Sequence, residues 1–412
     1  ETGHARADWP DVAAIPSPPR NAVLWPRELQ QNRLLRRQQT DGSADDTIGD
    51  FASLKQFRSD FVELQQALIR AYQYVIARFD VDGFRIDTLR YLKGKFPLLF
   101  GNSMREFALS IGKKNFFTFG EVFVSDAEQQ IARFIGRTTS TDADLVGVDA
   151  ALDYPLYFNL KPVMKGFAPP SNLVDMYQFR KSVEAGVLSS HGDATRYFVT
   201  FLDNHDVKER IRFVQPGEET AFDDQVTMAL ACLFALPGIP CLYYGTEQGL
   251  KGRGSDPAVR EALWGSPGFD RSSFFYRQIA AMTHVRAQTP ALRYGRFYFR
   301  QISGDGEHFG ISTFPNGVLA FSRILMDQEA MVVANCTSQE SRSFDVIVDA
   351  TLNPPGSAFR TLYTNKAHAP APAPVVLKTH VTVNELNGTT GSGPLNAVRV
   401  DLAPLEVRIL AL

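Results

Sequence analysis

Apolar positions in residues 59–79 recur with the period of a helix. Leu64, Leu68, Ala71, Tyr72, Val75, Ile76 and Phe79 fall at three- and four-residue steps, which lays them along one stripe of an α-helix. Ser59 or Asp60 stands where its N-cap would be. The pattern then shortens to two. Asp80-Val81-Asp82-Gly83-Phe84-Arg85-Ile86-Asp87 reads as a strand, with Phe84 and Ile86 on one face and Arg85 and Asp87 on the other. A helical segment is expected around Met104–Ile111 and a buried strand over Phe116–Glu121. Residues 127–136 read as helical and 151–156 as a weaker strand. A helix near 172–187 leads to the strand Tyr197–Leu202, and one over 224–236 leads to a strand over Ile239–Tyr244.

Strands alternating with helices predict a parallel sheet, and the spacing narrows the choice. Asp87 and Glu121 are 34 residues apart, Glu121 and Asp206 are 85 apart, and Asp206 lies 38 before Tyr244. These are one, two and one βα units at roughly 30 residues each, the repeat of a (β/α)8 TIM barrel. The catalytic barrel is therefore placed over 59–295. Residues 1–58 are loop-rich, with Pro16-Ser17-Pro18-Pro19 and Asp41-Gly42-Ser43 as loop chemistry and a short helix expected from Trp25 to Gln30. Beyond 296 short alternating runs separated by turn signals predict a C-terminal antiparallel β-sandwich over 296–412, interrupted by the low-complexity Ala367–Pro374.

The composition agrees with one large domain and a smaller one: 412 residues with 44% hydrophobic positions support a full core. Forty-three basic and 45 acidic side chains leave a net charge of −2 without any Lys/Arg block, which argues against a nucleic-acid partner. The most apolar run, Met228–Tyr244, contains Pro237-Gly238-Ile239-Pro240, which would break a membrane-spanning helix. Cys232, Cys241 and Cys336 sit in apolar contexts at spacings that suit neither a disulfide framework nor a metal site, so buried free thiols are expected. No signal peptide is legible, and with the unpaired cysteines this favours a cytoplasmic location. The chain starts at Glu1 and its first Met is Met104, so a processed or excerpted piece is expected.

Three acids fall at predicted strand ends: Asp87, Glu121 and Asp206. In a barrel, polar residues at that end are where catalysis is built. An isolated Arg-x-Asp is more often a structural ion pair; two further carboxylates downstream shift that balance. A pair of carboxylates about 5–5.5 Å apart is the apparatus of retaining glycoside hydrolysis. Arg85 on the face of Asp87 would favour an ionised nucleophile, and the apolar surroundings of Glu121 (FFTFGEVFV) would raise its pKa and suit an acid. The remaining histidines show no ligand spacing, and for Trp9, Trp25 and Trp264 core packing outweighs sugar stacking.

The segments Gly83–Asp87 (GFRID), Phe119–Phe123 (FGEVF) and Phe201–Asp206 (FLDNHD), in this order, resemble those of the α-amylase family, glycoside hydrolase family 13. Gly238–Glu247 (GIPCLYYGTE) is similar to its strand-eight segment. The resemblance covers roughly 50–330, and the terminal sandwich resembles the family's domain C. It implies that Asp87 is the nucleophile, Glu121 the acid/base and Asp206 the transition-state stabiliser. Arg85, Asn204, His205 and Arg90 would be substrate-binding. The family's Lys-His after the nucleophile reads Arg90-Tyr91 here; Tyr91 replaces the residue whose carbonyl often helps hold calcium, so calcium is poorly supported and no metal ligands are assigned. The family's strand-three segment has no counterpart in residues 1–80. Strands 4–8 alone are therefore expected, with 1–58 a remnant of domain B and strands 1–3 absent or supplied by a missing N-terminal segment or chain. The expected function is a retaining hydrolase of α-1,4-linked glucans and maltooligosaccharides. The alternatives are an α-glucosidase or transglucosylase on short α-glucosides and a non-catalytic carbohydrate-binding protein.

Overall fold

The computed structural model describes Leu29, residues 31–35, 56–123, 131–132, 134–135, 137–138, 147–184, 187–188, 197–213, 222–265, 268–367 and 369–412. The expected helices at Trp25–Gln30 and 127–136 fall almost wholly outside these residues. So do Trp9 and Trp25. Two compact units divide the chain: Glu1–Tyr154 with Ser182–Val199, and Pro155–Lys181 with Thr200–Leu412. The span 59–295 is thus shared between both units, and the antiparallel strands begin at Arg296 within the second.

In the first unit, α1 (Val62–Phe79), β1 (Gly83–Ile86), α2 (Phe96–Ser110), β2 (Phe117–Gly120) and β3 (Ala150–Leu152) follow one another. A final strand, β4 (Phe198–Thr200), crosses into the second unit after Val199. β1 pairs with β2, β2 with β3 and β3 with β4, all parallel. The predicted alternation in β1 is present: Phe84 packs edge-on against Phe116 and Tyr72, each with ring centroids 5.2 Å apart. Ile76, Phe96, Phe100 and Met104 complete that core from α1 and α2. On α1 neither expected cap operates. Phe61 occupies the N-cap position with no side-chain hydrogen bond, because Ser59 turns inward and its Oγ accepts from the Lys93 N–H at 2.8 Å.

The second unit holds α3 (Tyr154–Met164, from its second residue on), most of α4 (Ser171–Glu184), α5 (Asp223–Ala235), β5 (Ile239–Pro240) and α6 (Phe274–Gln288). α3 replaces the second half of the strand expected over 151–156; its prolines concealed it. β5 is shorter than the predicted strand. The Cys241 N–H still donates to Thr200 O at 2.7 Å, but the Cys241 side chain is exposed, not buried. The apolar run around it belongs to α5, where every residue from Val226 to Ala235 is buried.

Two antiparallel sheets follow. One orders β6 (Arg296–Phe299), β8 (Val318–Leu325), β9 (Gln328–Asn335), β11 (Arg360–Thr364) and β14 (Val407–Ala411) as β11-β14-β9-β8-β6. The other orders β7 (Ile302–Ser303), β10 (Arg342–Ile347), β12 (Val376–Lys378) and β13 (Leu395–Leu402) as β12-β13-β10-β7. Val318, Ala320, Met331 and Val333 face the second sheet with Phe344, Val346, Val398 and Val400. Leu319, Phe321, Val332 and Ala334 face α5 and α6. Burial on both faces explains why β8 and β9 read as near-continuous apolar runs and not as clean alternation. Arg323, buried in β8, fastens this sheet to the helices by donating to Ala235 O at the end of α5 and to Gly295 O. Among the described residues no helix is long and apolar enough to cross a membrane.

The β1–β2 contact leaves no room at Gly83: a Cβ there would lie 2.1 Å from the Phe117 carbonyl oxygen. Gly83→Ala should therefore cost about 1–3 kcal/mol by forcing the two backbones apart. Urea denaturation checks this; an unchanged midpoint would mean that the strands tolerate the wider separation.

Candidate active site

Asp87 and Glu121 stand next to each other because the strands before them are in register. Ile86 aligns with Gly120, so the residue after each strand is an acid at the same edge of the sheet. The ladder runs one step further, with the Glu121 N–H donating to Ile86 O at 2.9 Å. Gly120 permits the close fit beneath, since a Cβ there would lie 2.2 Å from Leu89 Cδ2. Arg85 reaches both acids: its Nη1 donates to Asp87 Oδ1 at 2.8 Å and its Nη2 lies 3.7 Å from Glu121 Oε2. The Thr88 N–H donates to the same Glu121 oxygen at 3.1 Å, from a residue held in the left-handed region at φ 51°.

Exposure separates the two acids. The Asp87 side chain is 64% exposed and that of Glu121 only 11%. Burial pushes the Glu121 carboxyl up to about 7, against the Thr88 N–H, which stabilises its charge. A hydrogen bond with the Asp87 carboxyl and its negative charge push the same way as burial, and Arg85 opposes them more weakly. One carboxyl therefore holds its proton near neutrality beside another in a wetter position, the division of labour that acid and nucleophile need. Arg90, expected at the substrate, donates from Nη1 to Phe123 O at 3.2 Å and lies over the Tyr91 ring.

Asp206 belongs to the second unit with Asn204 and His205. Asn204 Oδ1 accepts from the Asp206 and Val207 N–H groups at 2.8 and 3.0 Å. This Asx turn occupies that oxygen and presents the next two side chains. His205 Nε2 lies 3.0 Å from Asp206 Oδ2, and Arg260 Nη2 donates to Asp206 Oδ1 at 3.0 Å. Arg260 Nε also donates to His205 O at 3.1 Å. Beneath them Asp203 is fully buried; its Oδ1 accepts from the Ile211 N–H at 2.6 Å, and burial pushes it up to about 6 against the nearby Lys161 charge. Sequence reasoning missed Arg260, Asp203 and Thr88. Arg260 lies 54 residues from its partner in a segment without regular spacing. The strand-end position of Asp203 beside Asn204 was the one signal available.

Trp264 overturns the expectation of core packing: it is 80% exposed. A cavity of about 430 Å³ in the second unit, lined by Lys165, Phe213, Phe222 and Arg253 among others, includes none of the expected site residues. The Tyr91 carbonyl accepts from Gln56 Nε2 at 3.0 Å, and among the described residues no group of three or more acidic, His or Cys side chains could hold a metal ion.

Comparison with known proteins places this geometry in context. The family model described as "Alpha amylase, catalytic domain" matches residues 48–272. An α-amylase of Streptomyces lividans is 27% identical over 309 residues, covering 67% of this chain and 30% of that protein. A cyclomaltodextrin glucanotransferase of Paenibacillus macerans is 30% identical over 228 residues, covering 55% of this chain and 28% of that one. The chain thus spans under a third of the length of these curated relatives. Among solved structures, the α-amylase of Geobacillus thermoleovorans, complexed with acarbose, superposes with a TM-score of 0.66 at 21% identity, over 93% of this chain and 73% of that one.

The raised Glu121 carboxyl makes stability depend on pH. Its folded pKa of about 7 lies above the ordinary 4.5, so between these values the folded state binds more protons than the unfolded one, and stability falls as pH rises through that window. Glu121→Gln, which has no proton to lose, should be more stable than the natural chain above pH 7 by up to about 3 kcal/mol, with the difference vanishing near pH 4. Urea midpoints at the two pH values measure this; equal differences at both would contradict it.

Proposed function

The chain belongs to the α-amylase catalytic-domain family, and from that premise we propose that it is a retaining glycoside hydrolase acting on α-1,4-linked glucans and maltooligosaccharides. The observation that carries the reading is the pair of carboxylates after adjacent parallel strands, joined through Arg85, one of them held protonated near neutrality by burial. In the first step an Asp87 oxygen attacks the anomeric carbon while the Glu121 carboxyl gives its proton to the departing glycosidic oxygen. This leaves a glycosyl ester on Asp87 and a carboxylate at Glu121. In the second, Glu121 takes a proton from water as the water oxygen attacks the anomeric carbon and the ester breaks. Two inversions at one carbon give net retention. A sugar hydroxyl in place of water would give transfer, the activity in the name of the glucanotransferase relatives.

Arg85 would serve by holding the Asp87 carboxylate in line for attack through its 2.8 Å ion pair. Asp206 would stabilise the positive charge that grows on the sugar ring, with Arg260 fixing its orientation, His205 donating to the sugar and Asn204 shaping the turn that carries both. Arg90 lines the same sheet edge as Asp87 by its place in the chain.

Glu121→Gln should lower turnover on maltooligosaccharides by about 10²–10⁴-fold. In the natural chain kcat/KM should fall as pH rises through about 7, because the acid form is then lost; the residual activity of the variant should lack that limb. Unchanged turnover in the variant would remove Glu121 from the acid/base role.

A further inference from the structure

Lys161 lies on α3 among fully buried apolar neighbours, Leu160, Val163 and Met164, and its own side chain is 8% exposed. An ammonium withdrawn from water is costly unless it is paired and hydrogen-bonded. One loop supplies the partners. Lys161 Nζ donates to Glu209 O at 2.7 Å and lies 4.0 Å from Glu209 Oε1. Its charge also acts on the buried Asp203 carboxyl, where it is the foremost influence opposing burial; the Ile211 N–H, Arg210 and Lys165 add to it. Along α3, Lys161 Nζ stands 3.5 Å from the Tyr157 hydroxyl, and the Tyr157 ring stacks on Phe201 with centroids 5.2 Å apart and planes 12° apart.

Asp203 and Glu209 bracket the segment that carries His205 and Asp206. Lys161 therefore holds both ends of that segment from within the core. The ends are tied from other sides as well. Asp203 accepts from the Ile211 N–H, Arg253 Nε lies 3.4 Å from Glu209 Oε2, and Arg210 donates to Glu261 Oε2 and to Tyr244 O. Arg260 reaches Asp206 itself from the opposite end of the loop's side chains.

We propose that Lys161 is a positioning residue for Asp206: by joining Glu209 O and the Asp203 carboxylate to α3, it fixes the loop that presents Asp206 to the reacting sugar. This rests on the retaining α-glucan reading above. Asp206 acts on charge that grows in the transition state, so a loosened loop lowers kcat more than it weakens ground-state binding.

Fluoride release from α-maltotriosyl fluoride tests it, since a reactive leaving group keeps slow variants measurable. Lys161→Met retains the side-chain bulk and removes the charge and the donor. In protein shown to be folded by its urea transition, it should lower kcat about 10–100-fold and change KM less than about threefold. In the Asp206→Asn background the same change should lower kcat less than about twofold, because the residue it serves is gone. Natural kcat in Lys161→Met, a rise in KM alone, or the full loss repeated in the Asp206→Asn background would overturn this role and leave the α-glucan reading intact. If Lys161→Met does not fold, Lys161→Met/Asp203→Asn, judged against Asp203→Asn, carries the same expectations: it removes the stranded carboxylate charge and keeps an acceptor for the Ile211 N–H. No fluoride release by the natural chain would overturn the α-glucan reading and this role with it.

Discussion

Burying Glu121 beside a second carboxylate is a demanding constraint, met by the Thr88 N–H and, to a lesser degree, by Arg85. An ionised carboxylate removed from water without compensation is strongly disfavoured. Here the guanidinium spans both acids, the Thr88 N–H meets the buried one, and the remaining imbalance is relieved by keeping a proton on Glu121 up to about pH 7. The surrounding backbone follows from this. Gly83 allows β1 to lie close against β2, their register brings Asp87 level with Glu121, and Gly120 leaves space for Leu89 under the pair. A shift of one residue in that register would turn one acid to the opposite face of the sheet.

The second unit holds its acids by other means. Asp203 is buried and secured by a backbone N–H, with Lys161 as a nearby positive charge. Asp206 lies nearer solvent, gripped by Arg260 and touching His205. The burial gradient runs along four residues of chain. The deep acid organises the loop through Ile211, and the shallow one is left in reach of solvent with its orientation fixed. Arg260 contributes twice, through the carboxylate and through the His205 carbonyl, so one side chain sets the attitude of both residues expected at the sugar.

What could be read from the chain depended on how local its cause was. α1 and α5 were legible because their apolar residues repeat within a few turns, and β1, β2 and β4 because short apolar runs end in polar ones. The N-cap of α1 was misread because Ser59 is claimed by Lys93, 34 residues away. α3 was hidden by Pro155 and Pro162, and Cys241 and Trp264 are exposed although apolar residues lie beside them in the sequence, which does not fix the way either side chain faces. The pair Asp87 and Glu121 was visible because β-strand alternation and strand ends mark them. Arg260 was not, because nothing around it in sequence indicates the carboxylate it meets. The raised pKa of Glu121 was foreseen from its apolar stretch, since the largest cause is simple burial.

The claim that Asp87 and Glu121 divide nucleophile from acid can be tested by trapping the intermediate. Incubation with a fluorinated maltosyl fluoride, which slows departure from the enzyme more than attack, followed by proteolysis and mass spectrometry, should find one sugar adduct, on the Asp87 carboxylate. An adduct on another carboxylate, or products of inverted anomeric configuration formed without any adduct, would contradict it.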